Sequence, residues 1–405
     1  MIKKKYIALI IIVSALALTL DAFALTSVAK YAKYVSIAIS AVGFGIFGLY
    51  FRKFPKPIRQ FGLLFIALLV LSILSANLIH RQSYLSGFIA SSSIFIVGTS
   101  FLLYYLLVRF SISMELVRKS ILSVAWVFLA FFAILFLLHI QFPSSTSSDT
   151  VFGFQSLRKG IVNLGAIIYL VQFFKKSHFK YLAFALILFS VNHWADFQRY
   201  ILFVFAMCIG VLLFNYRKRT VGLKIIAGAI FVVPILVTVL SVTPIGQEFA
   251  KKMSATFEIF EEDSDDFSDS SMAIRVTQSL FAFESIKKYP LTGVGRIRSS
   301  EKDKVAKTSY FHVSDIGLIG ILYSYGIFGL FIFFKQSHYV WKGFSKNGLI
   351  KEGPSAEFKL FLLFLIIHSI LTGRSLNSPA EFMCMLVFVE VGRKELNAQT
   401  EGDDT

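Results

Sequence analysis

The chain has 405 residues, of which 56% are apolar, 16% aromatic and only 16% charged, and its mean hydropathy is +0.70. A soluble domain carries about a quarter charged residues, so the composition excludes a soluble enzyme and indicates a polytopic membrane protein. The formal charge of +17 does not point to nucleic acid, because the cations fall between apolar spans rather than on one basic domain.

Lys3, Lys4 and Lys5 precede an apolar run to about Leu20. The run reads as a first transmembrane helix or as the core of a signal peptide, since Ala22-Phe23-Ala24 has the form of a small-residue cleavage site. Retention is expected, because polytopic proteins commonly use the first helix as the signal. Further spans are expected near 34–51, 61–79, 88–108, 121–140, 160–174, 181–194, 200–216, 225–243, 316–334, 360–373 and 380–392, about 12 in all. Several are shorter than the roughly 20 residues that cross a bilayer upright. Cys208 and Cys384 both lie in apolar runs, so a disulfide framework is not expected.

Lys and Arg placement orients these spans. With a cytoplasmic N-terminus, the inner loops hold 24 of the 41 cations and the short outer loops only 7, Lys30 and Lys33 among them. The remaining 10 lie in the long segment 244–315, which comes out on the far side. The expected organisation is therefore transmembrane helices 1–9 over 1–243, a large periplasmic or extracytoplasmic helical loop over 244–315, helices 10–12 over 316–392, and a cytoplasmic tail over 393–405.

Cations on the outer side run against the insertion rule. Arg199, in HWADFQRYILFVF, and Arg374, in LTGRSLNSPAEF, each lie at the outer end of a membrane helix, and Arg275 lies on a helix of the loop. Such a group costs several kcal/mol near hydrocarbon unless it snorkels, pairs or faces water. Snorkelling to headgroups accounts for one isolated arginine; three on one face beside the large loop invite a shared role.

Within the loop, 244–260 reads as a helix leaving the membrane surface and 261–271 as an acidic, serine-rich linker without calcium-loop spacing. Met272, Val276, Leu280 and Phe283 then recur at helical spacing as one apolar stripe, with Arg275 at its margin close to Ile286 around the helix. Tyr289-Pro290 ends that helix and Thr292-Gly293-Val294-Gly295 turns the chain. Arg296, Arg298, Lys302, Lys304 and Lys307 follow, either as a solvated face or as a basic entrance for an anionic substrate or phospholipid headgroups. His312 and Asp315 precede the return to the membrane, and Gly317, Gly320, Gly326 and Gly329 notch the next helix for close contact. No pair of the seven histidines has zinc-motif spacing, and His193 with Asp196 is a weak metal candidate. No metal or other cofactor is expected.

The stretch IRVTQSLFAFESIKKYPLTGVG resembles the arginine, amphipathic helix and Pro-Leu-x-Gly-x-Gly pattern of the O-antigen ligase and polymerase superfamily. The histidine before a Gly-(Leu/Ile)-x-Gly membrane helix is matched by FHVSDIGLIGILYSYGIFGL, and the family's earlier arginine by Arg199-Tyr-Ile-Leu. The detailed resemblance runs from about 190 to 335. Ligases usually place asparagine directly after the histidine; Val313 stands there, which is more similar to the Wzy-type repeat-unit polymerases.

The resemblance implies a GT-C-like membrane glycosyltransferase acting on undecaprenyl-diphosphate-linked glycans at the outer face of the bacterial inner (plasma) membrane; the apolar spans make the fold all-α, and the charge placement puts both termini on the cytoplasmic side. Its partners would be the lipid-linked donor and acceptor, membrane lipids, a flippase and a chain-length regulator. Arg199 and Arg275, with Arg374, would stabilise the departing diphosphate, because guanidinium forks pair bidentately with phosphate. His312 would be the general base on the acceptor hydroxyl, oriented by Asp315, for which a plain helix cap is an equal reading. Arg296 and Arg298 would bind substrate. Activity should survive chelation by EDTA. Polymerisation is the first reading and transfer of polymer to lipid A-core by a ligase the second. A flippase or transporter is the alternative of another class, although no half-repeat is visible; a structural scaffold without chemistry is a further one.

Overall fold

The computed structural model describes residues 2–20, 29–137, 160–194, 199–216, 270–298, 313, 316–347, 353 and 355–403. Among the described residues the protein is all-helical, without strands. The helices are α1 (Ile2–Thr19), α2 (Ala29–Leu49), α3 (Lys56–His80), α4 (Tyr84–Ala90), α5 (Ser92–Phe95), α6 (Gly98–Arg109), α7 (Met114–Leu137), α8 (Gly160–Lys176), α9 (Phe179–Trp194), α10 (Arg199–Tyr216), α11 (Ser270–Lys288), α12 (Gly317–Asn347), α13 (Ala356–Thr372), α14 (Arg374–Asn377) and α15 (Pro379–Asp403). Four described stretches are long and apolar enough to cross a membrane: Tyr31–Leu49, Lys56–His80, Ser92–Arg109 and Gly317–Lys342. The span expected at 225–243 lies outside the described residues, as does most of the large loop.

Burial sorts the helices. α8 is buried from Gly160 to Phe174 apart from Tyr169, and α13 and α15 are buried on nearly every side from Ala356 to Ile366 and from Ala380 to Val389. Largely apolar on all sides, with Glu357, Lys359 and Glu381 buried among them, they form the centre of the bundle. α3 is peripheral: Phe61, Phe65 and Leu68 pack inward, while Leu63, Val70, Leu74 and Leu78 face out. α2 and α6 run side by side in the same direction, with Phe47 stacked on Phe101 (centroids 4.0 Å apart) and Tyr50 on Tyr105. Helices in lipid gain nothing from leaving water, so association depends on close contact and interhelical hydrogen bonds. Accordingly Gly43 lies directly against Gly98, where a Cβ would stand 1.8 Å from the carbonyl oxygen, and the Ser40 hydroxyl reaches Thr99 Oγ1 at 2.9 Å.

The span expected over 88–108 is divided into α4, α5 and α6. Mean hydropathy does not register that Ser92 and Ser100 donate back to the carbonyls of Ile89 and Val97, or that Ser91 bonds to Ser72. Such local bonds compete with a continuous helix. At the other end of the chain, α15 continues through the expected tail.

Residues expected on the inner side meet one another at one end of the bundle. Glu395 accepts from the backbone N–H of Met114 at 3.0 Å; burial pushes its carboxyl above the usual range and that bond draws it back. Lys394 Nζ donates to Tyr104 Oη at 2.6 Å, and Arg393 pairs with Glu390 at 2.8 Å. Glu357, fully buried, faces Arg118 at 3.4 Å and Lys175 at 3.5 Å. Removing this buried carboxylate breaks both contacts and leaves Arg118 with Glu115 as its carboxylate partner among the described residues. Glu357→Ala should therefore lower unfolding stability in detergent by about 3 kcal/mol, read as a fall in melting temperature; an unchanged melting temperature would show that the cluster is not structural.

Candidate functional site

At the opposite end, the loop's Pro-Leu-Thr-Gly-Val-Gly turn docks into a break in α12. Gly326 leaves helical geometry there (φ 61°, ψ −157°). The backbone groups freed by the break are taken up by the turn. Val294 N donates to Tyr323 O at 2.8 Å and Gly295 N to Ser324 O at 3.0 Å. In return Ile327 N donates to Pro290 O at 2.8 Å. Irregular backbone survives at membrane depth only when it is re-satisfied in this way. The two glycines of the motif have a physical cause. Both have positive φ, and a Cβ on Gly293 would stand 2.4 Å from Tyr325 N, while one on Gly295 would stand 2.3 Å from Ser72 O on α3. The expected glycine notches thus accept the chain's own loop: Gly326 takes Leu291 and Gly320 takes Val313.

Arg296 leaves this turn into a socket built by three elements. Its backbone N–H donates to Ser72 Oγ at 3.1 Å, and Gln82 Nε2 donates to its carbonyl at 3.1 Å. Its guanidinium donates to Ser93 Oγ on α5 and to Asn377 Oδ1 on α14 at 3.1 Å. Gln82, itself buried, also accepts from Arg298 N at 3.0 Å. Among the described residues every partner is neutral. Neutral acceptors satisfy a guanidinium's donors without cancelling its charge, so the positive charge stays available to an anion. Among the described residues no carboxylate pairs with Arg296 or Arg298.

The other arginines are placed by their helices. Arg374 opens α14, whose last residue, Asn377, holds Arg296. Arg199 opens α10, which packs along α13. The far end of α10, Tyr216, packs on Phe174 and lies within electrostatic range of Glu357, near the start of α13. The two helices are therefore antiparallel, and Arg199 comes to the end where Thr372 leads into Arg374. Arg275 lies on α11, which packs against α12. The packed face of α11 is not the expected apolar stripe. Leu280 and Phe283 are 62% and 45% exposed, while Gln278 and Ala282 are buried and Ile286 packs beside Val294 and Tyr323. Arg275 precedes Ala282 by nearly two full turns, so its register position belongs to the packed face. The side chains of Arg199, Arg275 and Arg374 lie outside the described residues, as do His312 and Asp315 entirely.

Sequence reading missed the groups that hold Arg296: Ser72, Gln82, Ser93 and Asn377. Their signal was polar side chains inside or at the ends of apolar runs, as in LVLSILSANLIHRQ and GFIASSSIFIVG. It also missed the Tyr325 hydroxyl, which is buried beside the break without a hydrogen-bond partner among the described residues, within electrostatic range of Arg296. Among the described residues no group of His, Cys, Asp and Glu could hold a metal.

No curated protein matches the chain. Residues 184–334 match a family model described as O-antigen ligase, a segment that runs from α9, ahead of Arg199, through the docked turn to the break in α12. This segment is thus similar to the O-antigen ligase family, which is consistent with the O-antigen ligase/polymerase superfamily.

Proposed function

We propose that the protein polymerises undecaprenyl-diphosphate-linked oligosaccharide repeat units into O-antigen, capsule or exopolysaccharide at the outer face of the inner membrane. The fold would be GT-C-like and the glycosyl transfer independent of metal. The acceptor sugar hydroxyl attacks C1 of the donor sugar as its proton passes to His312. The bond from C1 to the diphosphate breaks, undecaprenyl diphosphate leaves, and direct attack inverts the anomeric centre. Arg199 and Arg275 stabilise the charge that develops on the leaving diphosphate; Arg374, Arg296 and Arg298 hold the substrate, and Asp315 orients His312. The observation that carries this reading is the positive charge of Arg296, kept uncancelled by neutral acceptors at the end of the bundle to which α10 and α14 bring Arg199 and Arg374.

Transfer of finished polymer to lipid A-core is the second reading, favoured by the description of the matched family. Gene deletion followed by gel analysis of surface glycan separates them. Lipid carrying a single repeat unit is expected for a polymerase, and free polymer unjoined to its lipid core for a ligase. An unaltered glycan profile would contradict both.

A further inference from the structure

Lys33 is one of the few cations that charge placement puts on the outer side. It lies on α2, whose side-by-side course with α6 is fixed by Gly43 against Gly98 and Phe47 on Phe101. On that face Ser40 reaches the Ile96 carbonyl, just past α5, and Phe44 packs on Phe95. Lys33 follows the same face two turns outward of Ser40, toward the level of α5, where Ser93 holds the Arg296 guanidinium. It lies within electrostatic range of both Arg296 and Arg298. Among the described residues no carboxylate forms an ion pair with any of the three. Lys33 and Arg298 are exposed, whereas Arg296 is partly buried and fixed by its socket.

Three cations gathered without a counter-charge among the described residues repel one another, and an anion or screening salt relieves that repulsion. Nothing in the packing of α2 requires a cation at position 33, since its contacts with α5 and α6 are made by Ser40, Gly43, Phe44 and Phe47. The insertion rule disfavours one on this side. We infer that Lys33, Arg296 and Arg298 form one binding site for a phosphate-bearing headgroup at the outer mouth of the bundle, with α2 supplying an exposed charge and the docked turn the one fixed in its socket. The assignment of that headgroup to a lipid diphosphate rests on the proposed glycosyl transfer; the phosphate site itself does not.

The test uses the full chain in nanodiscs and reads protection against thermal unfolding by inorganic pyrophosphate at low ionic strength. Wild type should be protected, with half-saturation shifted about fivefold or more to higher concentration in Lys33→Gln and most of that shift restored in Lys33→Arg, because removing one of three charges weakens a steered anion site. Lys33 is exposed, so equal melting temperatures without ligand verify that the Gln variant is folded. Protection that is the same in phosphatidylcholine and phosphatidylglycerol discs assigns a diphosphate substrate. Protection lost in phosphatidylglycerol discs assigns a bilayer headgroup instead, and either result supports the phosphate site. Absence of protection, or protection unaffected by Lys33→Gln, overturns it. A deletion strain with unaltered surface glycan, combined with Lys33-dependent protection, would remove the polymerase reading and leave this site standing.

Discussion

Membranes carrying Arg275→Ala or His312→Ala protein should contain the inserted, full-length chain yet form polymer at least about a hundredfold more slowly than wild type. Loss of one preorganised donor to a developing anion costs roughly 10²–10³ in rate, and loss of a positioned general base roughly 10²–10⁴. Two contrasts separate chemistry from folding. Arg275→Lys keeps the charge but lacks the planar fork that grips two phosphate oxygens, so it should recover only part of the rate. If His312 is the general base, wild type should show a rise of rate with pH around neutrality, and His312→Ala should flatten it. Rates of repeat-unit polymerisation in membrane vesicles, normalised to inserted protein, measure both. A scaffold would lose nothing in either variant.

The second large effect concerns the turn. Gly295→Ala should lower unfolding stability by about 3 kcal/mol. A left-handed conformation accounts for roughly 1–2 kcal/mol of this, and the remainder comes from a methyl group forced to within 2.3 Å of the Ser72 carbonyl and 2.5 Å of the Ala76 nitrogen. Both neighbours are backbone, so neither can rotate away. The displaced turn would carry Arg296 out of its socket, and polymer formation should fall together with stability. Gly45→Ala is the matched control: it lies within α2 with no neighbouring atom inside 4 Å of the added carbon. Helix propensity alone then predicts no loss and a gain of up to about 1 kcal/mol. Melting temperatures in detergent distinguish the two, and a wild-type melting temperature for Gly295→Ala would mean that the turn does not dock into α12.

Apolar run length made most of the helices legible. The spans expected over 61–79, 160–174 and 200–216 correspond to α3, α8 and α10 within a few residues. Charge placement separated the two ends of the bundle: Arg118, Lys175 and Glu357 meet at one, and Gln82, Arg296 and Asn377 at the other. Two features were illegible for physical reasons. The stripe on α11 was assigned by a rule for proteins in water, where apolar residues turn inward. Among the described residues Leu280 and Phe283 are exposed and Gln278 is buried, the reverse of that rule and the arrangement that an apolar surrounding favours. The socket of Arg296 joins Ser72, Ser93 and Asn377, residues as many as 224 positions apart from it, by hydrogen bonds that no local pattern encodes. What the motif did reveal was the need for glycine at 293 and 295, where positive φ and the close approach of backbone to backbone both require it.

The most direct measurement is a cryo-electron microscopy structure of the protein in nanodiscs with undecaprenyl diphosphate bound. The proposed mechanism predicts the diphosphate gripped by Arg199 and Arg275 on the extracytoplasmic side, with His312 lining the same lipid-open chamber. Density for the diphosphate elsewhere, or those three side chains opening into separate spaces, would contradict it.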